Sequence, residues 1–169
     1  LRPEIDAIIV DDENAYNRVK AFLSVIAPRS SPSVVHYRRS MPLFHAFNVE
    51  RQIETIHSRE VDLPSGGQLV IEQTEALVAI DVNSGKSRAA RDSETNAYRT
   101  NLEAIEEIAR QLRLRDLGGL VINDLIDMRQ RSRRREVYEK FGELLKTDRA
   151  RTTILPISDF GILEMTRQR

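Results

Sequence analysis

The sequence predicts an α/β protein in which a mixed β-sheet is flanked by helices. Two observations carry that expectation. Apolar strand-like runs alternate with amphipathic helical stretches from residue 94 onward in the order helix, strand, helix, strand, and a buried run just before them supplies a first strand. Ahead of that, residues 59–85 read as three β-rich runs broken by Pro64-Ser65-Gly66-Gly67 and Thr74-Glu75, the punctuation of an antiparallel meander. At 169 residues the chain is the size of one domain, or of one domain plus part of another.

Element by element, "AIIV" (7–10) predicts a short strand. The following stretch predicts a helix that aspartates can cap, with Ala15, Val19, Phe22, Leu23 and Ile26 inward and Pro28 closing it. "SVVHYRR" predicts a second strand, and residues 41–61 one helix turning Phe44, Val49, Ile53 and Ile56 inward. The last run of the meander, Ala76 to Ile80, is wholly apolar. It is expected as a central strand buried on both faces and ended by Asp81. Leu102, Ile105, Ile108, Ala109 and Leu112 form the stripe of a long helix, with Gly118 at its C-terminal cap. Residues 120–128 predict a buried strand carrying Asp124 and Asp127. A helix with Val137, Phe141, Leu144 and Leu145 inward follows, and "TTILPIS" closes as a strand. No closing element is evident after it, and the chain reads as a piece of a longer protein.

Composition excludes several chemistries. Lys plus Arg and Asp plus Glu both number 26, so no global attraction to nucleic acid or membrane follows and any nucleic-acid surface must be local. There are no cysteines, which removes disulfides, thiolate metal sites and cysteine nucleophiles and favours a cytoplasmic location. No apolar run reaches membrane-spanning length, and no signal peptide is expected.

The chemistry-bearing stretch is "AIDVNSGKS" (79–87). Its Gly-Lys-Ser resembles a phosphate-binding loop, but the earlier glycine such a loop needs is Ile80, and Asp81 would oppose a nucleotide's charge. What remains is Asp81 and Asn83 on one strand and Asp124 on another. A carboxylate near the end of an apolar strand must be hydrogen-bonded, ion-paired or bound to a cation. If the strands are neighbours, the two aspartates converge, and such hard oxygen ligands suit Mg²⁺ or Mn²⁺ rather than zinc. Asn83, two residues from Asp81, faces the same side and can donate to a phosphate oxygen. The competing structural reading has Asp81 capping a turn and Asp124 pairing with an arginine.

"RQRSRRR" (129–135) packs five arginines at a helix start, where basic charge is unfavourable unless an anion compensates. Arg133 and Arg134 are thus candidate RNA contacts, as are Lys86, Arg88 and Arg151; a solvated charged face is the alternative. His36, His45 and His57 show no metal spacing. Their absence from the aspartate region favours metal-activated water over histidine acid–base cleavage. Tyr98 and Phe141 are more readily core than base-stacking platforms.

"LPSGG", "TEALVAIDVNSGKS", "TNLEAIEEIARQLRLRDLGGLVINDLIDM" and "DRAR…ISDFGILEMTRQR" together resemble the catalytic region of the ribonuclease E/G family, from about Pro42 to the end. The earlier residues resemble it more loosely. The resemblance implies a partial ribonuclease H-like subdomain over 1–58 and a DNase I-like catalytic subdomain over 59–169. It places two Mg²⁺-binding aspartates on Asp81 and Asp124, a phosphate-orienting asparagine on Asn83, and an arginine of the pocket for the RNA 5′ end on Arg151. No counterpart is seen for the family's OB-type and 5′-sensor subdomains or its cysteine-containing link. Those missing subdomains, and a second copy of the full-length protein, are the implied partners beside single-stranded RNA. Asn123 stands where an apolar residue is common. The expected function is an endoribonuclease leaving 5′-phosphate and 3′-hydroxyl ends, with Mg²⁺ as cofactor and Mn²⁺ as substitute. The isolated chain is expected to be weak or inactive. A non-catalytic RNA-binding or assembly module is the alternative, and a nucleotide hydrolase a third reading.

Overall fold

The computed structural model describes residues 5–27, 32–85 and 93–168. The chain divides into two compact units, Leu1–Ile53 and Glu54–Arg169. The sequence reading placed its boundary at residues 58 and 59.

In the first unit, strand β1 (Ala7–Val10) pairs in parallel with β2 (Ser33–His36), and helix α1 (Glu13–Ile26) makes the crossover that a parallel pair requires. Asp12 caps α1, its carboxylate accepting the Ala15 N–H at 2.7 Å. The helix expected over 41–61 is instead two short ones, α2 (Leu43–Ala46) and α3 (Val49–Ile56). They break at Asn48, whose φ of 54° is left-handed, a conformation asparagine tolerates. The expected inward stripes are largely unburied. Leu23 is covered, but Phe22 is 63% exposed and Phe44 55%, and Ile26 and Ile53 are open as well. Two paired strands are too narrow a surface to cover these stripes.

The second unit is a six-stranded mixed sheet in the order β3-β4-β5-β6-β8-β7, made of β3 (Glu60–Asp62), β4 (Gln68–Gln73), β5 (Val78–Asn83), β6 (Gly119–Asp124), β7 (Arg151–Ile154) and β8 (Ile162–Gln168). The first three strands form the expected antiparallel meander. β5 and β6 run parallel through α4 (Ser93–Leu114), and α5 (Arg131–Leu145) links β6 to β7. Leu69, Ile80, Val82, Val121, Leu163 and Met165 face Ile105, Ile108, Leu112, Val137 and Phe141 in one core.

Among the described residues, the sheet is covered on that face only. β5 alternates, with Val78, Ile80 and Val82 buried while Asp81 and Asn83 are exposed, so Asp81 lies within the strand and does not end it. The run is buried on one side rather than two, because its small Ala79 and its polar residues look outward.

Two boundaries shift for local reasons. α4 ends at Asp116, whose φ is 47°, with the Leu117 N–H reaching the Leu112 carbonyl at 3.0 Å and the Asp116 N–H reaching Arg113 at 3.3 Å. That is a left-handed cap with an aspartate in the place expected of Gly118. The chain also has a strand the sequence reading lacked: β8 inserts between β6 and β7, antiparallel to both. Its inward residues are Leu163, Met165 and Arg167, the last only 6% exposed. Beside it Asn123 is 1% exposed, donating to the Leu163 carbonyl at 3.0 Å while its own Oδ1 has no partner among the described residues.

Candidate active site

The open face of the sheet carries the acidic pair. β5 and β6 are parallel neighbours, and their register makes Asp81 and Asp124 direct partners, flanked by Val70 on β4 and Ile162 on β8. The condition for convergence, neighbouring strands with these ends together, is therefore met. Residues paired in register share a face, so both carboxylates point away from the helices. Asn83, on the same face, donates from Nδ2 to Asp81 Oδ2 at 2.7 Å. It thereby orients the carboxylate, one step before any contact with a phosphate.

Electrostatics marks the same place. The Asp124 carboxyl lies above the ordinary carboxylate range, first because of partial burial, then because of the negative charges of Asp81 and Asp127. A cation held by Asp81 and Asp124 would relieve that repulsion. Among the described residues no group of three or more histidines, aspartates and glutamates gathers into a metal cage. Two carboxylates with the remaining positions open to water fit Mg²⁺, which dehydrates reluctantly and keeps several waters.

The glycine of "SGKS" has a packing explanation. A Cβ on Gly85 would sit 2.3 Å from the Gly66 carbonyl oxygen, so the loop after β5 needs glycine to pass the turn between β3 and β4. Lys86 and Arg88 lie outside the described residues.

The arginine run proves heterogeneous. Glu94, at the start of α4, accepts the backbone N–H groups of Arg129 and Gln130 at 3.0 and 3.1 Å, just ahead of the first turn of α5. Those two bonds, above all, hold its carboxyl below the usual range. The anion that the helix start required is thus supplied by this chain, and Glu94 gave no signal in the sequence beyond its position near a helix N-terminus. Arg133 donates to Thr95 Oγ1 at 3.2 Å and lies 5.3 Å from the Tyr98 ring, while its buried Nη1 lacks a partner among the described residues. Arg134 is tied to Asp159 at 3.0 Å and to the Ser158 carbonyl at 3.3 Å. Arg129 and Arg131 are exposed.

Arg151 begins the edge strand β7 and is exposed, paired with Gln168. Gln168 lies six residues along β8 from Ile162, the partner of Asp124. At the rise of a β-strand that separation is about 20 Å, and the alternation keeps Arg151 on the same open face. Of the aromatics, Phe141 is buried in the core and Tyr98 donates its hydroxyl to Glu136 at 2.8 Å.

The family model described as "Ribonuclease E/G family" matches residues 1–169. The chain is 48% identical over 169 residues to ribonuclease E of Haemophilus influenzae, covering 100% of this chain and 18% of that protein. It is 46% identical over 170 residues to ribonuclease E of Escherichia coli K12, covering 16% of that protein. To ribonuclease G of Escherichia coli K12 it is 40% identical over 166 residues, covering 98% of this chain and 34% of that protein. The chain thus spans less than a fifth of these ribonuclease E relatives and about a third of this ribonuclease G. With the whole chain matched and identities of this size across it, the protein belongs to the ribonuclease E/G family.

Proposed function

We propose that the second unit is the catalytic part of an Mg²⁺-dependent endoribonuclease acting on single-stranded RNA. The observation that carries the reading is the register pairing of Asp81 with Asp124 on the uncovered face of the sheet, with Asn83 bonded to Asp81. Asp81 and Asp124 would hold the ion. When bound, Mg²⁺ supplies a water of lowered pKa and neutralises charge developing on the phosphodiester. The chain's own residues hold and aim. Asn83 fixes Asp81 through one N–H, and its second N–H remains for a phosphate oxygen. Arg151, on the same face some 20 Å away, suits a role at the RNA 5′ end. A cytoplasmic location fits this activity. The described residues contain no helix long and apolar enough to cross a membrane.

The test is cleavage of an unstructured RNA by the full-length protein with Mg²⁺ and with Mn²⁺. Products should carry 5′-phosphate and 3′-hydroxyl ends, and chelation should stop the reaction. Binding without metal-dependent turnover would leave the assembly or RNA-docking reading.

The arginine contacts are tested separately. Because Arg134 holds the β7–β8 loop, reversing its charge would disturb structure and binding together. Arg129→Glu and Arg131→Glu are cleaner. Each lost phosphate contact should lower the log–log salt slope of RNA binding by roughly 0.7 on a single strand, and an unchanged slope returns the run to a solvated face.

A further inference from the structure

We infer that Phe160 is a platform on which one base of the RNA strand stacks, placing the strand beside the aspartate pair. The inference rests on the ribonuclease reading above and adds to it a subsite for a base.

Phe160 is 86% exposed, the most open of the large apolar side chains described. It stands at the tip of the loop between β7 and β8, and that tip is held firmly. The Ser158 N–H donates to the Ile162 carbonyl at 2.9 Å and the Gly161 N–H to the Ser158 carbonyl at 3.1 Å. The Ser158 hydroxyl oxygen accepts from the N–H groups of Phe160 and Ile162, and Arg134 clamps Asp159 and the Ser158 carbonyl. Gly161, at φ 80°, makes the turn where a Cβ would meet the Leu125 carbonyl oxygen at 2.9 Å. An exposed phenylalanine on a floppy loop would lose ordering entropy on binding; this ring is already presented.

The tip is also tied to the acidic pair. The Leu125 N–H, one residue past Asp124, donates to the Gly161 carbonyl at 3.2 Å. Between tip and helices lies a cavity of about 620 Å³, lined among others by Phe160, Ala97, Ile126, Met128 and Arg129. The lining joins an apolar surface to the exposed Arg129, and of its three carboxylates Glu94 is bonded to two backbone N–H groups and Asp159 to Arg134, leaving Asp127 beside the acidic pair. A nucleotide has the matching halves, a flat base with a π-face and a charged phosphate. Stacking needs no particular base, so the subsite adds grip without adding sequence preference.

The experiment uses the full-length protein and a single-stranded RNA carrying 2-aminopurine, next to the same RNA with an abasic position at the fluorescent site. Wild type should quench the fluorophore and bind the abasic strand more weakly. Phe160→Ala should lose the quench and weaken binding of the intact RNA by roughly 5- to 150-fold, with an unchanged salt slope. It should also become indifferent to the abasic position, whereas Phe160→Trp should restore both signals. Since the ring contacts mostly solvent, the alanine variant should melt with wild type. If wild type cleaves RNA but Phe160→Ala binds and quenches equally well, the stacking site is wrong while the nuclease reading stands. If Phe160→Ala dissociates an oligomer and leaves quenching intact, the ring is a protein contact and the inference fails. If wild type neither binds nor cleaves RNA with Mg²⁺, the nuclease reading itself falls.

Discussion

Asp81→Asn and Asp124→Asn should each abolish Mg²⁺-dependent cleavage in the full-length protein, by a factor of ~1,000 or more. On the proposed mechanism, removing one of the two carboxylates that would hold the ion forfeits several kcal/mol of metal-centred stabilisation, and each 1.36 kcal/mol is about tenfold in rate. The loss should be chemical. Both side chains are exposed on the open face, so the amide replaces the carboxylate without repacking. In Asp124→Asn the repulsion from Asp81 and Asp127 disappears, and the melting temperature should not fall. Asn83→Ala leaves Asp81 without its 2.7 Å donor and should cost about 10- to 100-fold, the size expected of a group that orients a ligand. Metal titration of activity, alongside thermal melts, separates these outcomes. An Asp81→Asn protein that cleaves normally would remove the acidic pair from the mechanism.

The largest effect on stability is expected at Arg167. Its guanidinium, buried on β8, bonds Asp148 at 2.8 Å, Asp116 at 2.9 Å and the Leu117 carbonyl at 2.7 Å. One side chain thereby pins the turns that follow α4 and α5 to the sheet. Asp116 is largely exposed and contributes little, whereas the Asp148 side chain is nearly enclosed. Arg167→Met leaves that carboxylate buried without its cation, at a cost of about 3–5 kcal/mol, a large part of a domain's stability. Arg167→Lys keeps charge but not the fork, and should fall between.

Acidity checks the same contact. The Arg167 hydrogen bond holds the Asp148 carboxyl below the usual range. That stabilisation is present above the unfolded value, near 4, and is lost as pH falls through the lower folded value. The gap between wild type and Arg167→Met, measured by denaturant melts, should be widest near neutrality and narrow in acid as Asp148 protonates. A gap independent of pH would deny Asp148 its part.

Glu94 and β8 show why some of the site was illegible. Glu94 sits 35 residues from Arg129 in sequence, and nothing local says that its carboxylate meets the start of α5. The strand "ILEMTRQ" carries an inward arginine where a strand pattern demands an apolar residue, so its alternation is hidden until Asp148 and Asp116 supply the counter-charges. The arginines of 129–135 could not be sorted by sequence either, because Arg134 is occupied by Asp159 on a distant loop.

The sequence by itself determined the secondary-structure grammar of the second unit apart from β8, the inward faces of α4 and α5, and the placing of two aspartates on apolar strands. Those follow from periodicity and from the cost of burying charge, which are properties of neighbouring residues. Only the tertiary structure decided that β5 and β6 are parallel partners in a register that sets Asp81 against Asp124, and that helices cover one face of the sheet and leave the other open. Strand order depends on contacts between segments 40 residues apart, and burial of a face depends on what packs against it. No stretch of sequence encodes either alone.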